Sequence, residues 1–102
     1  MSEQHQHNRN IESDVDVLDV QIPMYRVVLY NDDYTTFDFV IDILKQVFLK
    51  SEQEAKKITL SVHQKGKGIA GHYPKEIADM KVIEVHKRAE SAGFPLRAGV
   101  EE

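Results

Sequence analysis

Between Val27 and Leu44, in the run VVLYNDDYTTFDFVIDIL, the hydrophobic period changes from two to about 3.6 across a gap of a few residues. A strand must therefore hand over to a helix through a tight polar connection. Met24 to Tyr30 is rich in β-branched and aromatic residues, with Tyr25, Val27 and Leu29 on one face and Arg26, Val28 and Tyr30 on the other. Phe37, Val40, Ile41, Leu44 and Phe48 then recur at helical spacing. The helix is expected to begin at Thr35, whose hydroxyl would cap it, with Asp38 three residues on as an imperfect capping box. The connection itself is Asn31-Asp32-Asp33, three acceptor-rich side chains wedged between two apolar elements.

The remaining elements follow from caps and breakers. Ser51 with Glu54 forms a full capping box, opening a helix to about Gln64 with Ala55, Ile58 and Val62 inward. Gly66 is placed to stop it. Gly68 to Tyr73 is short enough for a second strand, and Pro74 suits the first position of a third helix. In that helix Ala78, Val82, Val85, Ala89 and Ala92 share a face, and Gly93 ends it before a last extended segment, Leu96 to Val100. The order β-α-α-β-α-β predicts an α+β fold, a small three-stranded antiparallel sheet packed with three helices.

Charge divides the chain. Met1 to Pro23 carries all of the net −4, and Met24 to Glu102 is neutral. The leading segment is polar and poor in large apolar residues, so residues 1–22 are expected to be a flexible acidic tail and residues 23–102 the folded domain. His5 and His7 read as solvated tail residues rather than metal ligands. A neutral folded part is a poor fit to nonspecific nucleic-acid binding. No apolar run reaches the roughly 20 residues of a membrane span. The polar start lacks the form of a signal peptide, and there is no cysteine. A cytoplasmic protein is expected.

Three motifs bear on function. Asn31-Asp32-Asp33 is either a turn or a cation site, and the cation is either a hard metal or an organic ammonium. His63, in SVHQKGKG, lies at a core boundary and can offer one acceptor nitrogen, although spacing alone does not bring it to the loop. Lys65 to Gly71, KGKGIAG, follows a helix and lacks the phosphate-loop pattern, so it reads as a turn with solvated lysines. No nucleophile stands in a recognisable setting. From the residues alone, a divalent-metal-dependent enzyme using Asp32, Asp33 and His63 remains open. So does a plain protein-interaction domain like the C-terminal domain of a ribosomal stalk protein.

Three stretches together carry a resemblance: YRVVLYNDDYTTFDFVIDIL (Tyr25 to Leu44), VHQKGKGIAG (Val62 to Gly71) and FPLRA (Phe94 to Ala98). In this order they resemble the ClpS family, non-catalytic bacterial adaptors that deliver proteins to the ClpA unfoldase and ClpP protease. The resemblance implies binding of proteins that begin with Leu, Phe, Tyr or Trp. It implies that Asn31, Asp32 and His63 hold the free α-amino group, with Asp33 and Thr35 supporting the loop. Phe37, Val40, Val62 and Leu96 would line a side-chain pocket. Glu76 and Lys81 would dock the unfoldase's N-terminal domain, and the tail would engage the unfoldase. No cofactor, metal, nucleic acid or membrane is implied, and a monomer is expected. The family usually has Thr-Pro-Met where this chain has Thr35-Thr36-Phe37, and Phe37 is stiffer than the Met it replaces.

Overall fold

A computed structural model describes residues 21–102; residues 1–20 of the expected tail, with its two histidines, lie outside the described residues. The chain runs β1 (Tyr25–Tyr30), α1 (Phe37–Gln46), α2 (Glu52–Lys65), β2 (Lys67–Tyr73), α3 (Lys75–Ala92) and β3 (Arg97–Glu101). β1 is central in the order β2-β1-β3, and both pairings are antiparallel. The fold is the expected α+β arrangement in the expected order.

Alternation along β1 places Val27 and Leu29, both fully buried, against the helices. Val40, Ile43 and Leu44 from α1, Ala55, Ile58 and Val62 from α2, and Ala78, Val85 and Ala89 from α3 close over them. Val28 faces the other side of the sheet yet is only 1% exposed. The ladder shifts register between Val27 and Val28, which leaves Ala70 unpaired and bends β2.

Caps and stops account for most element boundaries. The amide of Glu54 donates to Ser51 Oγ at 3.1 Å, as the capping box requires. Gly66 adopts φ 91°, a left-handed conformation that costs least at glycine, and its N–H returns to the Val62 carbonyl. The first helix departs from expectation at both ends. Thr36, not Thr35, is its cap, accepting from the Phe39 amide at 3.1 Å, while the Thr35 hydroxyl is turned back to donate to Asp32. Phe48 lies beyond the helix, yet a turn keeps it buried: Leu49 takes φ 57°, and the Lys50 amide donates to the Leu44 carbonyl at 3.0 Å.

Smaller differences have similar local causes. Pro74 sits one position earlier than expected, as the cap of α3, where its carbonyl takes the first helical hydrogen bond from Ala78. Ala92 is exposed at the end of that helix, whereas Ile43 and Val47, absent from the expected core, are buried.

Candidate functional site

The carboxylate of Asp32 builds the connection between β1 and α1. The amides of Tyr34 and Thr35 donate to its Oδ1 at 2.8 and 2.7 Å, and the Thr35 hydroxyl donates to its Oδ2 at 2.7 Å. Asp and Asn favour such turns because a short acceptor can reach the backbone two or three residues on. Here the turn holds both the amide and the hydroxyl of Thr35 on Asp32, and Thr36 caps α1 one residue on.

Asp32 is thereby held ionised. Burial pushes its carboxyl up, but the donors from Thr35 and Tyr34 outweigh that and carry it below its ordinary value of 3.8. A carboxylate depressed in the folded state stabilises the fold above its unfolded pKa, and that contribution is lost as pH falls through the lowered folded value. The loop is therefore expected to stay formed at pH 5. In an NMR titration, the Tyr34 and Thr35 amide shifts should hold steady from pH 7 to 5 and move only below about pH 4. A midpoint above that contradicts the hydrogen-bonded carboxylate.

Two long-range contacts bring His63 to this loop. Tyr30 pairs with Lys67, and beyond the ladder the Asn31 amide donates to the Gly66 carbonyl at 2.9 Å. The end of β1 is thus tied to the end of α2, where His63 stands in the last turn. The His63 ring meets the Phe37 ring edge-on, with centroids 5.6 Å apart and planes at 75°, the T-shaped geometry that aromatic quadrupoles favour.

Between these parts lies a cavity of about 280 Å³. Asn31, Asp32, Asp33, Thr35 and His63 form its polar side. Phe37, Val40 and Val62 form its apolar side, with Val40 and Val62 almost fully buried. Roomier depressions exist, of about 540 Å³ beside β2 and about 620 Å³ on the outer face of α1 and α2. In the first, Arg26, Lys57, Lys65 and Lys67 outnumber the carboxylates of Glu54 and Glu101, and in the second Asp38 faces Lys56 and Lys57, so neither offers acceptors to a cation as the smaller cavity does. Drug-sized ligands occupy about 300–1,000 Å³, so the smaller cavity suits one residue-sized group. Carboxylate, amide and imidazole acceptors on one wall and hydrocarbon on the other can hold an ammonium and an apolar side chain that branch from the same carbon.

Of the other residues singled out from sequence, Leu96 is 3% exposed within the main core and is not among those lining the cavity. Sequence reading missed Thr59, which lines the cavity at 2% exposure and donates its hydroxyl to the Ala55 carbonyl at 2.8 Å. It precedes His63 by one helical turn, a spacing that would have placed both on one face. Glu76 is exposed in the first turn of α3. Lys81 is half-buried; its Nζ donates to the Val47 carbonyl at 2.7 Å, which satisfies the end of α1, and lies 5.4 Å from the Tyr73 ring centroid. Beside it Ile77 and Met80 stand exposed. Among the described residues, no group of three or more His, Asp or Glu side chains is arranged to hold a metal ion. Nor is any helix long and apolar enough to cross a membrane.

Fold and site together define a class: small α+β binding domains in which one mouth joins an acceptor-rich loop to a buried apolar floor. Residues 21–99 match the family model of the ATP-dependent Clp protease adaptor protein ClpS. A ClpS adapter protein of Nautilia profundicola is 52% identical over 92 residues, covering 90% of this chain and 93% of that protein. One from Desulforapulum autotrophicum is 54% identical over 80 residues, covering 78% and 77%. Agrobacterium tumefaciens ClpS2, solved bound to L-phenylalaninamide, superposes with a TM-score of 0.76 at 34% identity, covering 79% of this chain and 98% of that one. The chain belongs to the ClpS family, the adaptors of the ATP-dependent Clp protease, which are not enzymes.

Proposed function

We propose that this adaptor binds proteins whose first residue is Leu, Phe, Tyr or Trp with a free α-amino group, and delivers them to a ClpA-type unfoldase for degradation by ClpAP. The observation that carries the reading is the meeting of Asn31, Asp32 and His63 with the Val40 and Val62 floor around one residue-sized cavity. L-phenylalaninamide, the ligand of the Agrobacterium relative, has the two features this cavity complements: an α-amine and a bulky apolar side chain.

In this reading Asn31, Asp32 and His63 accept hydrogen bonds from the ammonium, while Asp33 and Thr35 keep the loop in shape. Phe37, Val40 and Val62 enclose the first side chain, with Thr59 beside them in the lining. Hydrogen bonds to an ionised group contribute about 1.5–3 kcal/mol each. Burial of a Leu or Phe side chain contributes about 1.5–3 kcal/mol. Set against the cost of association, these support binding near micromolar, about −8 kcal/mol. Neither half suffices alone. An internal Leu brings no ammonium and leaves the buried acceptors unpaired, which is how a polar site rejects a ligand lacking its donors.

Delivery uses a different surface. Glu76 and Lys81, beside the exposed Ile77 and Met80 of α3, dock the unfoldase's N-terminal domain, and the acidic residues before position 21 engage the unfoldase itself. The adaptor acts as a cytoplasmic monomer. The family to which the chain belongs is one of adaptors, which takes the place of the metal-dependent enzyme reading.

The test compares two labelled peptides that differ only in the first residue. Replacing a first Leu by Ala removes about 2 kcal/mol of burial, so the Ala peptide is expected to bind about 30-fold more weakly in fluorescence anisotropy. Equal affinities would overturn the reading.

A further inference from the structure

One buried polar group in the cavity is not used by the adaptor reading. Thr59 and His63 line the same cavity, and Thr59 is 2% exposed. Apart from the acceptor cluster, Phe37, Val40 and Val62 complete the lining with hydrocarbon, so the Thr59 hydroxyl is the one polar side-chain group on that side among the described residues. It gives its hydrogen to the Ala55 carbonyl at 2.8 Å. The oxygen keeps two acceptor lone pairs, and among the described residues no hydrogen bond is donated to it. The bond to Ala55 turns the hydroxyl toward the preceding turn of α2, away from His63 one turn further on. Thr59 and His63 stand about 6 Å apart along the helix axis, comparable with the reach of a Tyr or Trp side chain from its α-carbon.

We infer that the Thr59 oxygen reads the tip of the substrate's first side chain, accepting a hydrogen bond from the phenol O–H of Tyr or the indole N–H of Trp. The inference rests on the proposed reading of the cavity, and it names which substrates within that reading the cavity selects. An ammonium held at Asn31, Asp32 and His63 lays the first side chain against Val40 and Val62, with its far end one helical turn along α2, at Thr59. Phe and Leu carry no donor and leave the oxygen with its single bond to Ala55. Tyr and Trp supply the donor that it lacks. Thr59 thereby sorts first residues by their chemistry, where the hydrocarbon lining sorts them by size. One neutral hydrogen bond corresponds to about a five-fold change in affinity.

The experiment titrates the full chain, Thr59→Val and Thr59→Ser with two peptides that differ only in beginning with Tyr or with Phe. Val has the shape of Thr without the oxygen, and the Ala55 carbonyl keeps its helical bond from the backbone amide four residues on. The ratio of Tyr to Phe affinity is expected to fall about five-fold in Thr59→Val and to hold in Thr59→Ser. An unchanged ratio in Thr59→Val, with the Phe peptide still bound, overturns the contact and leaves the cavity reading standing. An equal fall in both variants also overturns it, because Ser keeps the oxygen. Failure of the unmodified chain to bind either peptide overturns both readings. Should Thr59→Val not fold or not bind the Phe peptide, a third peptide decides on the unmodified chain. It begins with para-fluorophenylalanine, close to Tyr in size but without a donor, and is expected to bind about five-fold more weakly than the Tyr peptide. Equal or tighter binding overturns the inference.

Discussion

Asp32→Ala should lower the affinity for a Leu-start peptide by at least about 100-fold, roughly 2.7 kcal/mol. Two losses combine. The ammonium loses an ionised acceptor, an interaction of about 1.5–3 kcal/mol. The amides of Tyr34 and Thr35 and the Thr35 hydroxyl also lose their common partner, so the loop no longer holds Asn31 and Thr35 at the cavity edge. Asp38→Ala is the matched control. Asp38 is exposed in the first turn of α1, and its removal costs only a helix-dipole contribution of about 0.3–1 kcal/mol in stability. Isothermal titration of both variants checks this; similar losses for the two would show that the loop is not the cradle.

The second large effect comes from a residue without a side chain. A Cβ at Gly68 would stand 2.8 Å from Val62 Cγ2 and 3.2 Å from the Ile58 carbonyl oxygen. The first neighbour is a side chain that can shift, but the second is backbone. β2 and α2 therefore approach as closely as they do because position 68 is glycine. Gly68→Val should cost about 1–3 kcal/mol through overpacking, lowering the melting temperature by about 4–8 °C per kcal/mol for a domain of this size. Val62 is also a wall of the cavity, so peptide affinity should fall alongside stability. Thermal unfolding and a peptide titration measure the two effects. A variant that melts and binds like the unmodified chain would contradict the close helix–strand contact.

How much of the fold and site is legible in the sequence depends on the range of the interactions. Alternation in Tyr25 to Tyr30 and the Ser51–Glu54 box are signals written within a few residues, and the strand and the helix stand where they point. The choice between Thr35 and Thr36 as cap is also local, but it turns on which donor Asp32 captures, and composition does not rank the two hydroxyls. Leu49 in a left-handed turn has no sequence signal at all, because a leucine rarely takes that backbone. The site depends on the longest-range contacts. Asn31 meets the end of α2 through the β1–β2 pairing and the bond to Gly66, so residues 31 and 63 converge without any periodic mark. Family resemblance links them; periodicity and spacing leave them separate. Thr59 escapes a sequence reading because a hydroxyl ordinarily faces water, whereas its bond to the Ala55 carbonyl lets it be buried.

The claim on which the account depends is that the loop and imidazole sense the charged start of a polypeptide. Anisotropy titrations of one Leu-start peptide, with its α-amine free and with it acetylated, address that claim most directly. Acetylation removes the positive charge and all but one of the N–H donors while leaving the Leu side chain in place. The free form is expected to bind near micromolar and the acetylated form to show no saturation at hundred-fold higher protein concentration. Comparable affinity for the two forms would mean that the cavity recognises the side chain alone.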